Sequence, residues 1–274
     1  MATRGDQRSP PLVIAHRGFK AAFPENTLMA FRCALACGAD ALECDIRMSA
    51  DGVPVVIHDA VLDRTTSGSG PVAALDWASL AGLDAGGWFG EGFENEPIPC
   101  LAELLELVAS AVPPVRLLVE VKESADARPD AVASVVRTIR EHDLVSRCVV
   151  QSFHPDVLLA AHRLEPSLER HLLVEGSVAS LGLQFEDVPR LSSSARPLAD
   201  LHQLIAAVNP SVLMADEALL HWLHGEGFRV HVWTVNAPDA MRELAELGVD
   251  GLITDDPLAA RVVLGRPRLD DPRG

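Results

Sequence analysis

Short runs of valine, isoleucine and leucine alternate along the chain with longer segments in which apolar residues recur every three or four positions. Runs of the first kind predict buried parallel strands, and segments of the second predict amphipathic helices. Strands are expected at 12–15, 41–46, 116–121, 148–152, 170–174, 211–214, 229–233 and 251–254. Helical patterns fall between most of them, at 25–37, 101–112, 131–142, 155–164, 198–208, 216–226 and 238–247. The first helix has Pro24 before it and Gly38 after it, the usual start and stop chemistry. Eight strands with intervening helices in 274 residues predict an α/β fold, a (β/α)8 TIM barrel rather than an open doubly wound sheet.

Two stretches break the alternation. Residues 60–100 are glycine-rich and carry Trp77, Trp88 and Phe93, which predicts a small insertion within one domain spanning 1–274; a short strand, 53–57, precedes it. Residues 182–197, with Ser192, Ser193 and Ser194, read as an exposed loop, and the proline-bearing tail after Leu264 as frayed. No internal repeat has the period of a solenoid.

Composition narrows the class. The chain is 48% hydrophobic and 23% charged, ordinary for a soluble globular protein. No apolar stretch reaches the ~18 residues of a bilayer span. The first ten residues carry Arg4 and Arg8 and lead directly into the first strand without an apolar leader, so a cytoplasmic location is expected. Cys33, Cys37, Cys44, Cys100 and Cys148 form no CxxC pair and read as small core residues. A net charge of −16 argues against a nucleic-acid partner.

Polar residues gather where the apolar runs stop, the place where a barrel of this kind carries its chemistry. His16 and Arg17 follow the first strand. Glu43 and Asp45 lie two apart on the second and share one face, while Leu42, Cys44 and Ile46 share the other. Glu120 and Lys122 end the third; Gln151, Trp233 and Asp255 close later strands. Converging carboxylates repel unless a positive charge lies between them, and an all-oxygen donor set favours Mg²⁺ or Ca²⁺, with Mn²⁺ also suitable, over zinc. The alternative for Glu43 and Asp45 is a structural ion-pair network with Arg17, Arg47 and Lys122. His16 and His58 beside this cluster suggest a general base and a general acid. Arg17 and Lys122 supply the fixed positive charge that a phosphoryl transition state needs. No G-x-S-x-G elbow is present.

The segments I-A-H-R-G (14–18), P-E-N-T (24–27), E-C-D (43–45), D-G-V-P-V-V-I-H-D (51–59) and L-D-R-T-T (62–66), followed by V-E-V-K (119–122), Q-S-F (151–153), W-T-V-N (233–236) and G-L-I-T-D-D-P (251–257), resemble in order the glycerophosphodiester phosphodiesterase family. The resemblance spans nearly the whole chain. It implies a TIM barrel with an insertion after the second histidine motif, and hydrolysis of glycerophosphodiesters to glycerol 3-phosphate and an alcohol, within lipid and glycerol metabolism. It also implies His16 and His58 as the acid–base pair, Glu43, Asp45 and Glu120 as ligands of a divalent cation, Arg17 and Lys122 as phosphate binders, and Trp233 on the glycerol side. Glu25 and Asn26 match the family too and read as shaping the first loop. A lysophospholipase D or sphingomyelinase D-like activity would use the same groups but needs an apolar channel; a non-catalytic binding barrel would lack one of them. His231 reads as a satisfied core histidine and His171 has no evident partner. His154 reads as a helix-start residue, and His142, His162, His202, His221 and His224 as solvated. Trp77, Trp88, Phe89 and Phe93 read as packing against the barrel mouth rather than touching substrate.

Overall fold

The computed structural model describes residues 10–122, 128–176 and 197–266. Most of the loop expected at 182–197 and the tail beyond 266 lie outside the described residues.

Among the described residues nine strands form one sheet: β1 (Leu12–His16), β2 (Ala41–Met48), β3 (Pro54–Val56), β4 (Arg116–Val121), β5 (Cys148–Ser152), β6 (Glu169–Val174), β7 (Ala207–Pro210), β8 (Arg229–Val232) and β9 (Gly251–Thr254). Eight of them pair in parallel, each with two neighbours, and β1 joins both β9 and β2, so the ring closes as the expected (β/α)8 barrel. The remaining strand, β3, runs antiparallel along the end of β2 (Ile46 opposite Val56) and opens the segment between β2 and β4.

The helices among the described residues are α1 (Leu28–Ala36), α2 (Trp77–Ala81), α3 (Leu101–Ser110), α4 (Pro129–Glu141), α5 (Pro155–Leu164), α6 (Pro197–Leu204), α7 (Glu217–Gly225), α8 (Pro238–Glu246) and α9 (Pro257–Val263). Two predicted boundaries are corrected. Helix α1 starts three residues later than its proline suggests, because Asn26 sits in the left-handed region (φ 59°) and Thr27 Oγ1 accepts from the Ala30 amide (3.2 Å) as the cap. The sixth barrel strand is not 211–214 but β7. The Arg170 guanidinium donates to the carbonyls of Leu204 (2.6 Å) and Gln203 (3.3 Å), closing α6 early and releasing the apolar run after it to the sheet. Leu213 is then left 93% exposed beyond the strand. Helix α9, after the last strand, has no counterpart among the predicted helices.

Strand alternation divides the core in two. Val13, Ala15, Leu42, Cys44 and Ile46 pack outward against the helices in the main apolar cluster, whereas Ile14, Ala41, Leu118, Val149 and Ile253 meet inside the barrel. The parity expected for β2 holds, and it sends Glu43 and Asp45 inward. Gly18 lets the turn after β1 lie against α1: a Cβ there would stand 2.7 Å from the Ala30 carbonyl carbon, and its φ of 83° disfavours any side chain. Between β3 and α3, residues Val55, Ile57, Leu62, Val72, Leu80, Ala85 and Ile98 form a second small apolar core. A chain of aromatic edges, Phe89 to Phe93 (5.2 Å) to Phe23 (6.0 Å), joins this segment to the barrel. All five cysteines are free.

Candidate active site

The C-terminal ends of the strands surround a cavity of about 280 Å³, lined by His16, Arg17, Glu43, His58, Glu120, Lys122, Gln151, Phe153, Leu173, Glu175, Trp233, Thr234 and Ile253. Of the strand-end residues singled out from sequence for chemistry, all line it except Asp45, which is fully buried just behind, and Asp255, which stands behind His16. The insertion aromatics do not line it. Phe153 does, edge-on to Trp233 (5.5 Å), and the Trp233 indole is pinned by donating to the Asn209 carbonyl (2.7 Å).

Glu43, Asp45 and Glu120 each offer a carboxylate oxygen within 4.8 Å of the others, and all three are buried. Their charges are unequal. Burial would raise Asp45, but the Lys122 ammonium (2.9 Å) and Arg17 guanidinium (2.9 Å) hold it well below the usual carboxylate range. Burial, with Asp45 close by, pushes Glu43 well up and Glu120 up to about 7. Lys122 also touches Glu120 (2.7 Å). The ion-pair alternative thus describes part of the cluster, yet two cations do not satisfy three buried carboxylates. Two acids driven upward by burial and by a neighbouring anion, in a hard all-oxygen donor set, fit one further divalent cation.

The loop after β1 is shaped to serve this cluster. Arg17 adopts the left-handed conformation (φ 56°), which aims its backbone N–H at Glu43 Oε2 (3.0 Å) while its guanidinium reaches Glu25 (2.9 Å). Asn26 Nδ2 donates to Asp45 Oδ2 (2.8 Å). Glu25 and Asn26 therefore do more than shape a loop: each holds a side chain of the cluster. Arg64 extends the network, bridging Glu25 (2.8 Å) and Asp59 (2.6 Å). Its signal was the L-D-R-T-T segment, which carries no chemistry until folded.

Both histidines have the same support. His16 Nδ1 meets Asp255 Oδ1 at 2.6 Å, and His58 Nδ1 meets Asp59 Oδ1 at 2.6 Å. Burial lowers the pKa of each, against the pull of the paired carboxylates. A carboxylate at Nδ1 fixes the tautomer and leaves Nε2 for chemistry.

The remaining histidines differ in part from expectation. His171 has a partner, Glu169 (2.7 Å), and a second contact to Asn209 (3.3 Å). His231 is buried as expected but not satisfied: neither ring nitrogen has a hydrogen-bond partner. His224 pairs with Asp250 (3.0 Å), His142 Nδ1 lies 2.8 Å from the Thr138 carbonyl, and His202 stacks on Phe228 (4.3 Å). His154 is the N-cap residue of α5.

A closed (β/α)8 barrel with two carboxylate-braced histidines beside a buried acidic triad and two cations has the groups that hydrolysis of a phosphate ester requires. The profile of the Glycerophosphoryl diester phosphodiesterase family matches residues 16–259, and the chain belongs to that family. A glycerophosphodiester phosphodiesterase of Caldanaerobacter subterraneus is 33% identical over 246 residues, 90% of this chain and 94% of the relative. One from Bacillus altitudinis is 34% identical over 247 residues, covering 89% and 94%. Among solved structures, an Oleispira antarctica phosphodiesterase in complex with the product sn-glycerol-3-phosphate superposes with a TM-score of 0.80 at 28% identity, covering 93% of this chain and 97% of that one.

Proposed function

We propose that this protein is a metal-dependent, cytoplasmic hydrolase of glycerophosphodiesters that releases glycerol 3-phosphate and an alcohol, with one barrel domain carrying the whole activity. The observation behind this reading is the pair His16 and His58, each held at Nδ1 by its own carboxylate and both lining one cavity with Glu43, Glu120 and Lys122. The product held by the Oleispira relative supports the substrate class. Small polar dimensions fit a soluble diester, and no helix among the described residues is long and apolar enough to cross a membrane.

Glu43, Asp45 and Glu120 would hold the cation, Mg²⁺ or Ca²⁺ or, as a third choice, Mn²⁺. When bound, it would neutralise charge on the phosphate and complete the electrostatic balance of the triad. Arg17 and Lys122 bind phosphate oxygens, and Trp233 lines the glycerol side. His16 takes a proton from the attacking oxygen, and His58 gives one to the departing alkoxide as its bond to phosphorus breaks. Both rings rest neutral near pH 7, the form a base requires. The negative charge of a bound phosphodiester favours protonation of His58 and arms it as the acid.

The test is release of glycerol 3-phosphate from a panel of glycerophosphodiesters with Mg²⁺, Ca²⁺, Mn²⁺ or chelator. Turnover should need the cation and fall by about 10²–10⁴ in His16→Ala and in His58→Ala. Full activity in chelator, or in both variants, would sink the mechanism. Cleavage of lysophospholipids alone would replace the substrate assignment.

A further inference from the structure

We propose that Gln151 is a positioning residue for Glu43, and that Asn209 and His171 hold it in its working orientation from within the barrel core. The proposal rests on the reading of Glu43 as a cation ligand. Gln151, Asn209 and His171 lie on β5, β7 and β6, point into the barrel, and are 1%, 0% and 0% exposed. Gln151 Nε2 donates to Glu43 Oε1 (3.2 Å), and Asn209 Nδ2 donates to Gln151 Oε1 (3.2 Å). The same Asn209 nitrogen lies 3.3 Å from His171 Nδ1, and His171 Nε2 lies 2.7 Å from Glu169 Oε1. Glu169 is in turn clamped by Arg116 (2.7 Å) and Arg229 (2.6 Å). One hydrogen-bonded chain therefore crosses the barrel core from an ion-pair cluster to the triad.

Every junction in this chain has one allowed polarity. With the cation bound Glu43 is ionised, and an ionised carboxylate accepts and never donates, so Gln151 then presents its amine to Glu43 and its oxygen to Asn209. Asn209 must then donate with Nδ2, whose second hydrogen faces His171 Nδ1. His171 Nδ1 must accept, which places the ring proton on Nε2, where the Glu169 carboxylate receives it. A flip of Gln151 would set its oxygen against Glu43 and its amine against that of Asn209. Asn209 directs its amine to the chain while leaving its own Oδ1 buried without a partner. A residue selected only to satisfy a polar core would not leave that acceptor unmatched. The second oxygen of Glu43 is fixed by the Arg17 amide, so Gln151 supplies the constraint on the first.

The experiment titrates Mn²⁺ into the full chain by calorimetry, with Tm and glycerophosphodiester turnover followed in parallel. Gln151→Met, Asn209→Leu and His171→Phe are expected to bind Mn²⁺ about tenfold or more weakly, the usual consequence of losing a partner behind a metal ligand. His171→Asn, whose Oδ1 can accept where Nδ1 did, should keep wild-type affinity; this rescue separates positioning from packing. A merely structural role would lower Tm and leave affinity unchanged. Should Asn209→Leu fail to fold, Gln151→Met and the His171 pair decide the matter. Binding that needs Glu43 but is unchanged in Gln151→Met and His171→Phe overturns this proposal alone. No Mn²⁺ binding by the wild type, or wild-type binding by Glu43→Gln, overturns the cation reading and this proposal with it.

Discussion

Acidification should weaken this fold through His231, and replacing His231 by leucine should remove that weakness. The ring is 2% exposed, neither nitrogen is hydrogen-bonded, and a Cβ on Gly251 would come within 2.7 Å of it. It faces His171 across 5.0 Å, with Arg229, Arg116 and Glu169 beyond. Burial is the largest cause that lowers its pKa well below the ordinary 6.5, followed by His171 and Arg229. The unfolded chain therefore binds a proton below about pH 6.5 that the folded chain refuses, so the unfolded state carries more protons and stability falls with pH. The slope reaches at most about 1.4 kcal/mol per pH unit, so the loss between pH 6.5 and pH 5 is at most about 2 kcal/mol. His16, His58 and His171 are lowered too, so the wild type and the variant will both decline; the widening gap between them belongs to His231. Leucine also relieves two unmade hydrogen bonds, a cost of about 1–3 kcal/mol, so His231→Leu should be no less stable than wild type at pH 7.5. Urea unfolding at pH 7.5, 6.0 and 5.0 reads both effects. Parallel pH curves, or a variant markedly weaker at pH 7.5, would refute the reasoning.

Two further outcomes follow from packing. Gly18→Ala should cost about 3 kcal/mol or more, since the added carbon meets the Ala30 backbone at 2.7 Å in a left-handed conformation; a loss under about 1 kcal/mol in denaturant titration would mean that the loop yields. Native thiols should resist Ellman's reagent at pH 8, because burial pushes Cys148 up to about 12 and Cys44 well above its ordinary value, and Cys37 is fully enclosed. All five should react in guanidine, and prompt reaction of three or more in buffer would contradict the enclosed positions.

The barrel was legible because each strand announces itself twice, by its apolar run and by the polar residue that ends it. Glu43 and Asp45 show this well: the spacing sets them on one face, and the structure turns that face inward. Strand β7 was displaced because two apolar runs, 205–208 and 211–214, compete, and the choice is made by Arg170, a side chain more than thirty positions away. The supporting partners were harder to see for the same reason. Asp255 braces His16 across a separation of 239 residues, and Gln151 reaches Glu43 across 108. Arg64, Glu25 and Asn26 acquire meaning only when the left-handed turn at Arg17 draws them together. Local pattern predicts elements; the partner of a buried polar group is a property of closure.

The small second core between β3 and α3 should give the protein a divided heat response, read as activity lost at a lower temperature than the far-UV circular dichroism of the barrel. His58 and Asp59 stand at the base of that segment, whereas His16 and the acidic triad stand on barrel strands. Arg64, through Glu25, is a latch between the two parts, joined by the aromatic edges at Phe93. A unit with so little apolar surface opens at a lower free energy than the barrel beneath it. Warming should thus separate one histidine from the other while the barrel stays intact, and cooling should close the latch again, so that the loss of catalytic competence precedes and is more reversible than the melting of the fold.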